Sequence, residues 1–156
     1  MSTDKIWEIS SQSSEETEAI AAKLAPLLRG GETIELQSDL GGGKTTFVRG
    51  LVKALGSSAH VSSPTFMISK EYEAPRFRIV HFDFYRLLAA GDVSEALREA
   101  SLDDGTVCLV EWGDIVDDVL PADRIIVGIE RTADNEDGRV IKISSPDSVL
   151  MEGLAS

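Results

Sequence analysis

Apolar and polar positions change their spacing several times along the chain, and each change marks the start of a predicted strand or helix. Short runs rich in β-branched and aromatic residues, bounded by turn-forming residues, are typical of strands. Residues 5–9 alternate loosely, which indicates a short edge strand. Further runs predict strands at residues 32–37, 66–73, 77–83, 106–110, 124–130 and 139–144.

Helical spacing occurs in three segments. Apolar residues three or four positions apart predict helices from Ser13 to about Arg29, from Thr45 to about Leu55 and over residues 92–100. Ser13 and Glu16 have the spacing of a capping box at the start of the first helix. Pro26 should bend this helix or end it early, because proline lacks the N–H that a helix interior requires.

The strand at 106–110 is apolar without interruption, which is typical of a strand buried on both faces of a sheet. Strand–loop–helix units around such a strand indicate an α/β sandwich. The strand pair within 66–83 and a late hairpin, with its turn at Asp134–Gly138, indicate a mixed sheet. A length of 156 residues fits one domain, so we predict that residues 1–156 form a single domain.

A glycine-rich loop joins the strand at 32–37 to the helix that begins at Thr45. Consecutive glycines let a backbone wrap closely around phosphates, and a helix N-terminus offers them unpaired N–H groups. Lys44 can reach the outer phosphates, and the Thr45 hydroxyl is placed to bind Mg²⁺. The loop therefore predicts ATP and Mg²⁺ binding on an α/β, three-layer P-loop NTPase-like sandwich with a mixed central sheet. The expected nucleotide contacts are Asp39, Leu40, Gly41, Gly42, Gly43, Lys44, Thr45 and Thr46.

The loop departs from the usual pattern G-x-x-x-x-G-K-[ST] at one position, where Ser38 replaces the first glycine. Serine is small enough to fit, although a positive φ would strain it. The alternative interpretation is a tight glycine turn into a helix, with Lys44 in solvent.

Three polar positions that follow the loop are candidates for catalysis. Thr65, in a Ser-Pro-Thr segment, could sense the γ-phosphate, or it could simply begin a strand. Asp83 ends a strand, where it could orient a nucleophile, or it could pair with Arg86 at the surface. Glu111 follows a core strand and resembles the acid that faces Mg²⁺ in P-loop proteins, or it could extend into solvent. His81 is expected to be a packed, hydrogen-bonded histidine.

The net charge of −12 would repel phosphate backbones, so we expect no strong direct binding of nucleic acid. An acidic face could steer the protein toward a basic protein partner, or it could serve solubility alone. The single cysteine, Cys108, is expected to be a buried small apolar side chain. Neither a signal peptide nor a membrane span is apparent, which favours the cytoplasm.

Taken together, the motifs DLGGGKTTFVRGL, SPTF, HFDFYRL and CLVEW, in that order, resemble the TsaE (YjeE-type) family of tRNA threonylcarbamoyladenosine synthesis. The resemblance runs from about Thr17 to Trp112. It implies a small P-loop ATPase with a mixed sheet, which acts with TsaD and TsaB. Its ATP hydrolysis would support threonylcarbamoyl transfer, performed by TsaD, to the tRNA adenosine beside the anticodon.

The resemblance also implies roles for single residues. The matching positions are Lys44 for the phosphates, Thr45 and Glu111 for Mg²⁺, Thr65 as the switch threonine, Asp83 as the HxDxYR acid and Thr17 as a threonine near the nucleotide.

Other functions remain open at this stage. A small P-loop kinase would need an acceptor site and an arginine-rich lid, and the sequence shows no such lid segment. A GTPase switch would need an N/T-K-x-D guanine-reading motif, which the sequence lacks. A nucleotide-dependent regulatory switch would bind Mg-ATP with negligible hydrolysis of its own.

Overall fold

The computed structural model describes residues 5–38, 43–61, 69–84, 91–111 and 120–156, with the backbone alone for 91–94. The strands are β1 (Lys5–Ser11), β2 (Thr33–Gln37), β3 (Ser69–Glu73), β4 (Arg78–Asp83), β5 (Thr106–Glu111), β6 (Ile125–Arg131) and β7 (Arg139–Ser145). The helices are α1 (Ser14–Leu24), α2 (Lys44–Ala54), α3 (Gly91–Ser101) and α4 (Ser148–Ala155), and a 3₁₀ turn (Ala25–Leu27) follows α1.

In the described part of the chain the strands form one seven-stranded sheet in the order β1-β7-β6-β2-β5-β4-β3. Its central strands are parallel, because β2 pairs in parallel with β5 and β6, and β4 pairs in parallel with β5. The outer pairs β3–β4, β6–β7 and β1–β7 are antiparallel. The predicted mixed sheet is therefore confirmed.

Helices cover both faces of the sheet, which confirms the three-layer α/β sandwich. One face packs against α1, α2 and α4 through a core that includes Leu24, Phe47, Leu109, Ile143 and Leu154. The other face packs against α3 through a smaller core that includes Phe82, Leu97, Cys108 and Val110. Cys108 is fully buried, as predicted, and burial raises the pKa of its thiol to about 11.

The first helix is shorter than the sequence predicted. Ser13 caps it by accepting a hydrogen bond from the Glu16 amide at 3.2 Å, as the capping box requires. The α-helix ends at Leu24, not near Arg29, because Pro26 lies in a 3₁₀ turn that tightens and ends it.

Helix α4 was not predicted from the sequence. Its signal is Asp147, whose carboxylate accepts hydrogen bonds from the amides of Val149 and Leu150 at 3.0 and 3.2 Å. This is N-capping by a preferred residue. The strand predicted at 66–73 has its described part at Ser69–Glu73, and residues 66–68 lie outside the described residues.

The crossing of α1 and α2 yields a test of the fold. A Cβ at Gly50 would lie 2.5 Å from the Cα of Glu18, closer than backbone atoms can approach. We expect Gly50→Ala to destabilise the protein by about 1–3 kcal/mol. The loss should appear even though alanine favours a helix by about 1 kcal/mol over glycine. Urea unfolding measures the change.

The matched control is Gly153→Ala in α4. Its Cβ would meet the end of the Leu27 side chain, at 2.5 Å from Cδ2, and that side chain can rotate away. We expect this variant to lose less stability than Gly50→Ala. A Gly50→Ala protein as stable as wild type would show that the two helices are not held at this close approach.

Candidate functional site at the carboxyl edge of the sheet

The carboxyl ends of β2, β5 and β4 lie side by side at one edge of the sheet. In the parallel register, Glu111 pairs with Leu36 on one side and with Asp83 on the other. Paired residues of neighbouring strands point to the same face, so both carboxylates lie on the face of Leu36, which is the face that α2 covers. Ligands of open α/β sheets bind at this kind of edge.

The helix that follows β2 begins with an N-terminus suited to an anion. Gly43 precedes α2 with φ 107°, a left-handed conformation that glycine adopts without strain. Gly43 has no side chain to cap the helix, and the first turn carries no acidic residue. The first amides of a helix have no partner within it, so phosphate oxygens can bind them. Thr45 and Thr46, both half-buried, belong to this first turn.

Lys44 reaches back to the end of β2 and does not extend into solvent. Its side chain is buried, and its Nζ donates to the carbonyl oxygen of Ser38 at 3.1 Å. The ammonium is therefore held beside the end of β2, where the loop begins. Because the contact uses the backbone of Ser38, this contact does not depend on the residue type at that position.

Glu111, one of the two carboxylates, forms a buried polar pair with His81. The Nε2 atom of His81 is 2.6 Å from Oε2 of Glu111, and His81 is completely buried. The prediction that His81 is a packed, hydrogen-bonded histidine is confirmed. Glu111 does not extend into solvent, because only 2 % of it is exposed. Since His81 contacts Oε2, Oε1 is the oxygen that could face a metal at the edge.

Arg139 also lies at this edge, and the sequence analysis missed it. A Cβ at Gly43 would be 3.2 Å from Nε of Arg139, so this side chain packs against the last glycine of the loop. Its Nη1 donates to the carbonyl oxygens of Glu136 and Gly138 at 2.9 and 2.8 Å. The sequence signal is the late hairpin: β6 runs parallel to β2, so the turn after β6 returns to the same edge.

Thr17 lies near the same edge, but its hydroxyl contacts another side chain. Its Oγ1 is 2.7 Å from Oγ of Ser11, which donates to the carbonyl oxygen of Ser13. The one hydroxyl hydrogen of Ser11 is then used, so Thr17 must donate to Ser11. The Thr17 hydroxyl oxygen can thus accept a hydrogen bond from a ligand, whereas its hydrogen is already donated to Ser11. Its role near a nucleotide stays a prediction.

The other predicted site residues lie outside the described residues: Asp39, Leu40, Gly41, Gly42 and Thr65. Among those described, the structure brings Lys44, Thr45, Asp83 and Glu111 to one edge. In the same described ranges, no helix is both long and apolar enough to cross a bilayer.

Comparison with known proteins shows to which family this chain belongs. The family model "Threonylcarbamoyl adenosine biosynthesis protein TsaE" matches residues 11–141. The chain belongs to the TsaE family. Membership places it in tRNA threonylcarbamoyladenosine biosynthesis, and the resemblance stated from the motifs is confirmed.

Individual members of the TsaE family agree with this assignment. A Bacillus subtilis protein named tRNA threonylcarbamoyladenosine biosynthesis protein TsaE is 42% identical over 123 residues, 78% of this chain and 76% of the relative. A Rickettsia felis protein of the same name is 34% identical over 141 residues, 90% of this chain and 82% of the relative. The crystal structure of Bacillus subtilis YdiB superposes with a TM-score of 0.81 at 31% identity, covering 99% of this chain and 97% of that one.

Proposed function

We propose that this TsaE-family protein binds ATP with Mg²⁺ at the carboxyl edge of β2, β5 and β4. We further propose that it hydrolyses the ATP in support of threonylcarbamoyl transfer to tRNA. The observation that carries the proposal is the position of Lys44. Its ammonium donates to the carbonyl oxygen of Ser38 at the end of β2, next to the N-terminus of α2 and at the same edge as Asp83 and Glu111. The Lys44 ammonium and the first amides of α2 would bind the phosphates from one side. The carboxylates of Asp83 and Glu111 would lie on the other side, at the ends of β4 and β5.

The described residues fit a nucleotide with its metal. The first amides of α2 and the Lys44 ammonium would bind the phosphates. The Thr45 hydroxyl and the Glu111 carboxylate would hold Mg²⁺, directly or through water, because this ion prefers oxygen ligands. Bound Mg²⁺ would neutralise charge that develops on the phosphate oxygens. Glycine is favoured at position 43 because its φ of 107° is a conformation that other residues rarely adopt, and because a Cβ there would lie 3.2 Å from Nε of Arg139.

Asp83 is the residue that we assign to the attacking water. Its carboxylate pairs in register with Glu111 and lies at the open end of β4, half-buried. A carboxylate there can accept a proton from water and orient the oxygen toward the terminal phosphate. Thr65 matches the switch threonine of the TsaE family, and we propose that it senses the γ-phosphate.

We propose that partner proteins of the TsaD and TsaB type complete the site. The net charge of −12 disfavours direct binding of tRNA, and it suits association with a basic surface on a protein. Because the modified tRNA would be bound by the partners, we also propose that the protein works in the cytoplasm. The partners would supply charge at the transferring phosphoryl group.

Lys44→Ala should weaken ATP binding on the order of 10- to 100-fold, because it removes a charged hydrogen-bond donor to the phosphates. Isothermal titration calorimetry with ATP and Mg²⁺ measures the change. Ser38→Gly is the matched control: it keeps the carbonyl that accepts from Lys44, so affinity should be retained or improved. Unchanged affinity in Lys44→Ala would contradict the assigned site. GTP binding as tight as ATP binding would instead contradict the expected preference for ATP.

Hydrolysis should be slow for the protein alone and rise when the TsaD–TsaB pair binds. Charge supplied in trans raises rates by about 10³–10⁵ in other P-loop proteins. Asp83→Ala should abolish the stimulated rate and spare ATP binding, whereas Glu111→Ala should also weaken the dependence on Mg²⁺. Steady-state phosphate release, with and without both partners, tests this.

The control for the hydrolysis experiment is Glu99→Ala, which removes an exposed carboxylate near the far end of α3. It should keep the stimulated rate. Full turnover by the lone protein, or stimulation that survives in Asp83→Ala, would refute the mechanism. ATP binding without any hydrolysis, with or without partners, would instead support a nucleotide-dependent switch.

A further inference from the structure

His81 and Glu111 form a buried hydrogen bond, and the proposed function assigns no role to His81. His81 lies within β4 among apolar neighbours and is completely buried. Burying an imidazole is unfavourable unless its nitrogens find partners. Its Nε2 lies 2.6 Å from Glu111 Oε2, whereas its Nδ1 has no hydrogen-bond partner in the described structure. Among the described residues, the hydrogen bond of the ring is therefore the one between Nε2 and Glu111.

The register shows from which side the ring reaches Glu111. His81 pairs with Leu109, and Asp83 pairs with Glu111, so His81 is one row deeper in the sheet on the same face. It contacts Glu111 diagonally, from the core side, a reach that long side chains on neighbouring strands have. The ring of Tyr72, 6.2 Å away between centroids, packs on the ring of His81. The hydrogen bond from the core side thus engages Oε2 of Glu111 and does not involve Oε1.

The missing partner at Nδ1 also indicates which nitrogen carries the hydrogen. A buried N–H without an acceptor is more costly than an acceptor without a donor. An imidazole with hydrogen on Nε2 donates to the carboxylate and leaves Nδ1 as an unprotonated acceptor. In this tautomer the single N–H of the ring is the hydrogen-bond donor to Oε2 of Glu111.

We propose that His81 is a positioning residue for Glu111. It donates from Nε2 to Oε2 and thereby fixes the carboxylate so that Oε1 faces a divalent cation at the edge. The inference rests on the proposed function, because it assumes that Glu111 serves Mg²⁺ there. It adds a second residue to that task, one that touches neither the metal nor the nucleotide. Hydrogen-bond partners of metal ligands commonly change metal affinity by about 10- to 100-fold when they are replaced.

Three substitutions at one position separate positioning from simple filling of the core. His81→Gln places an amide N–H at about the reach of Nε2, whereas His81→Asn is too short and reaches only about as far as Nδ1. His81→Leu fills the space without a donor. The probe is ATP affinity measured by calorimetry with Mg²⁺ and with EDTA, and the readout is the gain in affinity that Mg²⁺ provides.

We expect this Mg²⁺-dependent gain to fall about 10- to 100-fold in the Asn and Leu variants and to be largely kept in the Gln variant. Affinity in EDTA should not change in any variant. If the Leu variant does not fold, the comparison of Gln with Asn decides alone. An equal loss in Gln and Asn, or a full gain in Leu, would overturn the inference and leave the proposed function standing. No Mg²⁺-dependent gain in wild type would overturn both.

Two further measurements test the link through Glu111. In a Glu111→Gln background, His81→Asn should produce no additional loss of the Mg²⁺-dependent gain, because its effect passes through the carboxylate. A second loss of equal size would refute the link. Nitrogen NMR of the nucleotide-free protein should show hydrogen on Nε2 and none on Nδ1, and hydrogen on Nδ1 would contradict the assigned contact.

Discussion

The parallel pairing of β5 with β2 and β4 is the constraint on which the rest of the structure depends. All six residues of β5 are buried, so this strand can lie only between neighbours and under helices on both faces. Its register then sets Glu111 beside Leu36 and Asp83 without any further choice. A shift of one residue would turn Glu111 to the opposite face and separate it from His81 and from α2. The apolar core thus positions the polar edge.

The edge carries charge of both signs, and this distribution is what suits it to a phosphate with a metal ion. Lys44 and Arg139 lie on the side of the glycine loop, and Asp83 and Glu111 lie on the side of the strands. In a chain with a net charge of −12, two cations beside one helix N-terminus form a local site for anions. The carboxylates opposite them would repel bare phosphates, and under the proposed function a bound divalent cation would offset this repulsion.

Much of this arrangement was predictable from local patterns, and what was missed depends on distant contacts. The buried strand and Pro26 each act within a few residues, so the sequence indicated them correctly. Arg139 was missed because its place at the edge depends on how β6 and β7 pair. The alternation of His81 with Asp83 predicted a shared face, but the partner of His81 lies 30 positions away and follows only from the register. The short helix α4 carried little helical periodicity, and its main signal was the cap at Asp147.

The most direct test of the account is to locate the metal–nucleotide complex on the protein. Mn²⁺ can replace Mg²⁺ with ATP, and its unpaired electrons broaden the NMR signals of nearby backbone amides. The account predicts the strongest broadening at Gly43–Thr46, Asp83 and Glu111, and little at Ser145, which lies at the opposite end of the sheet. Strongest broadening at that opposite end, or the same pattern with Mn²⁺ but no ATP, would contradict the assignment of this edge to a metal-bound nucleotide.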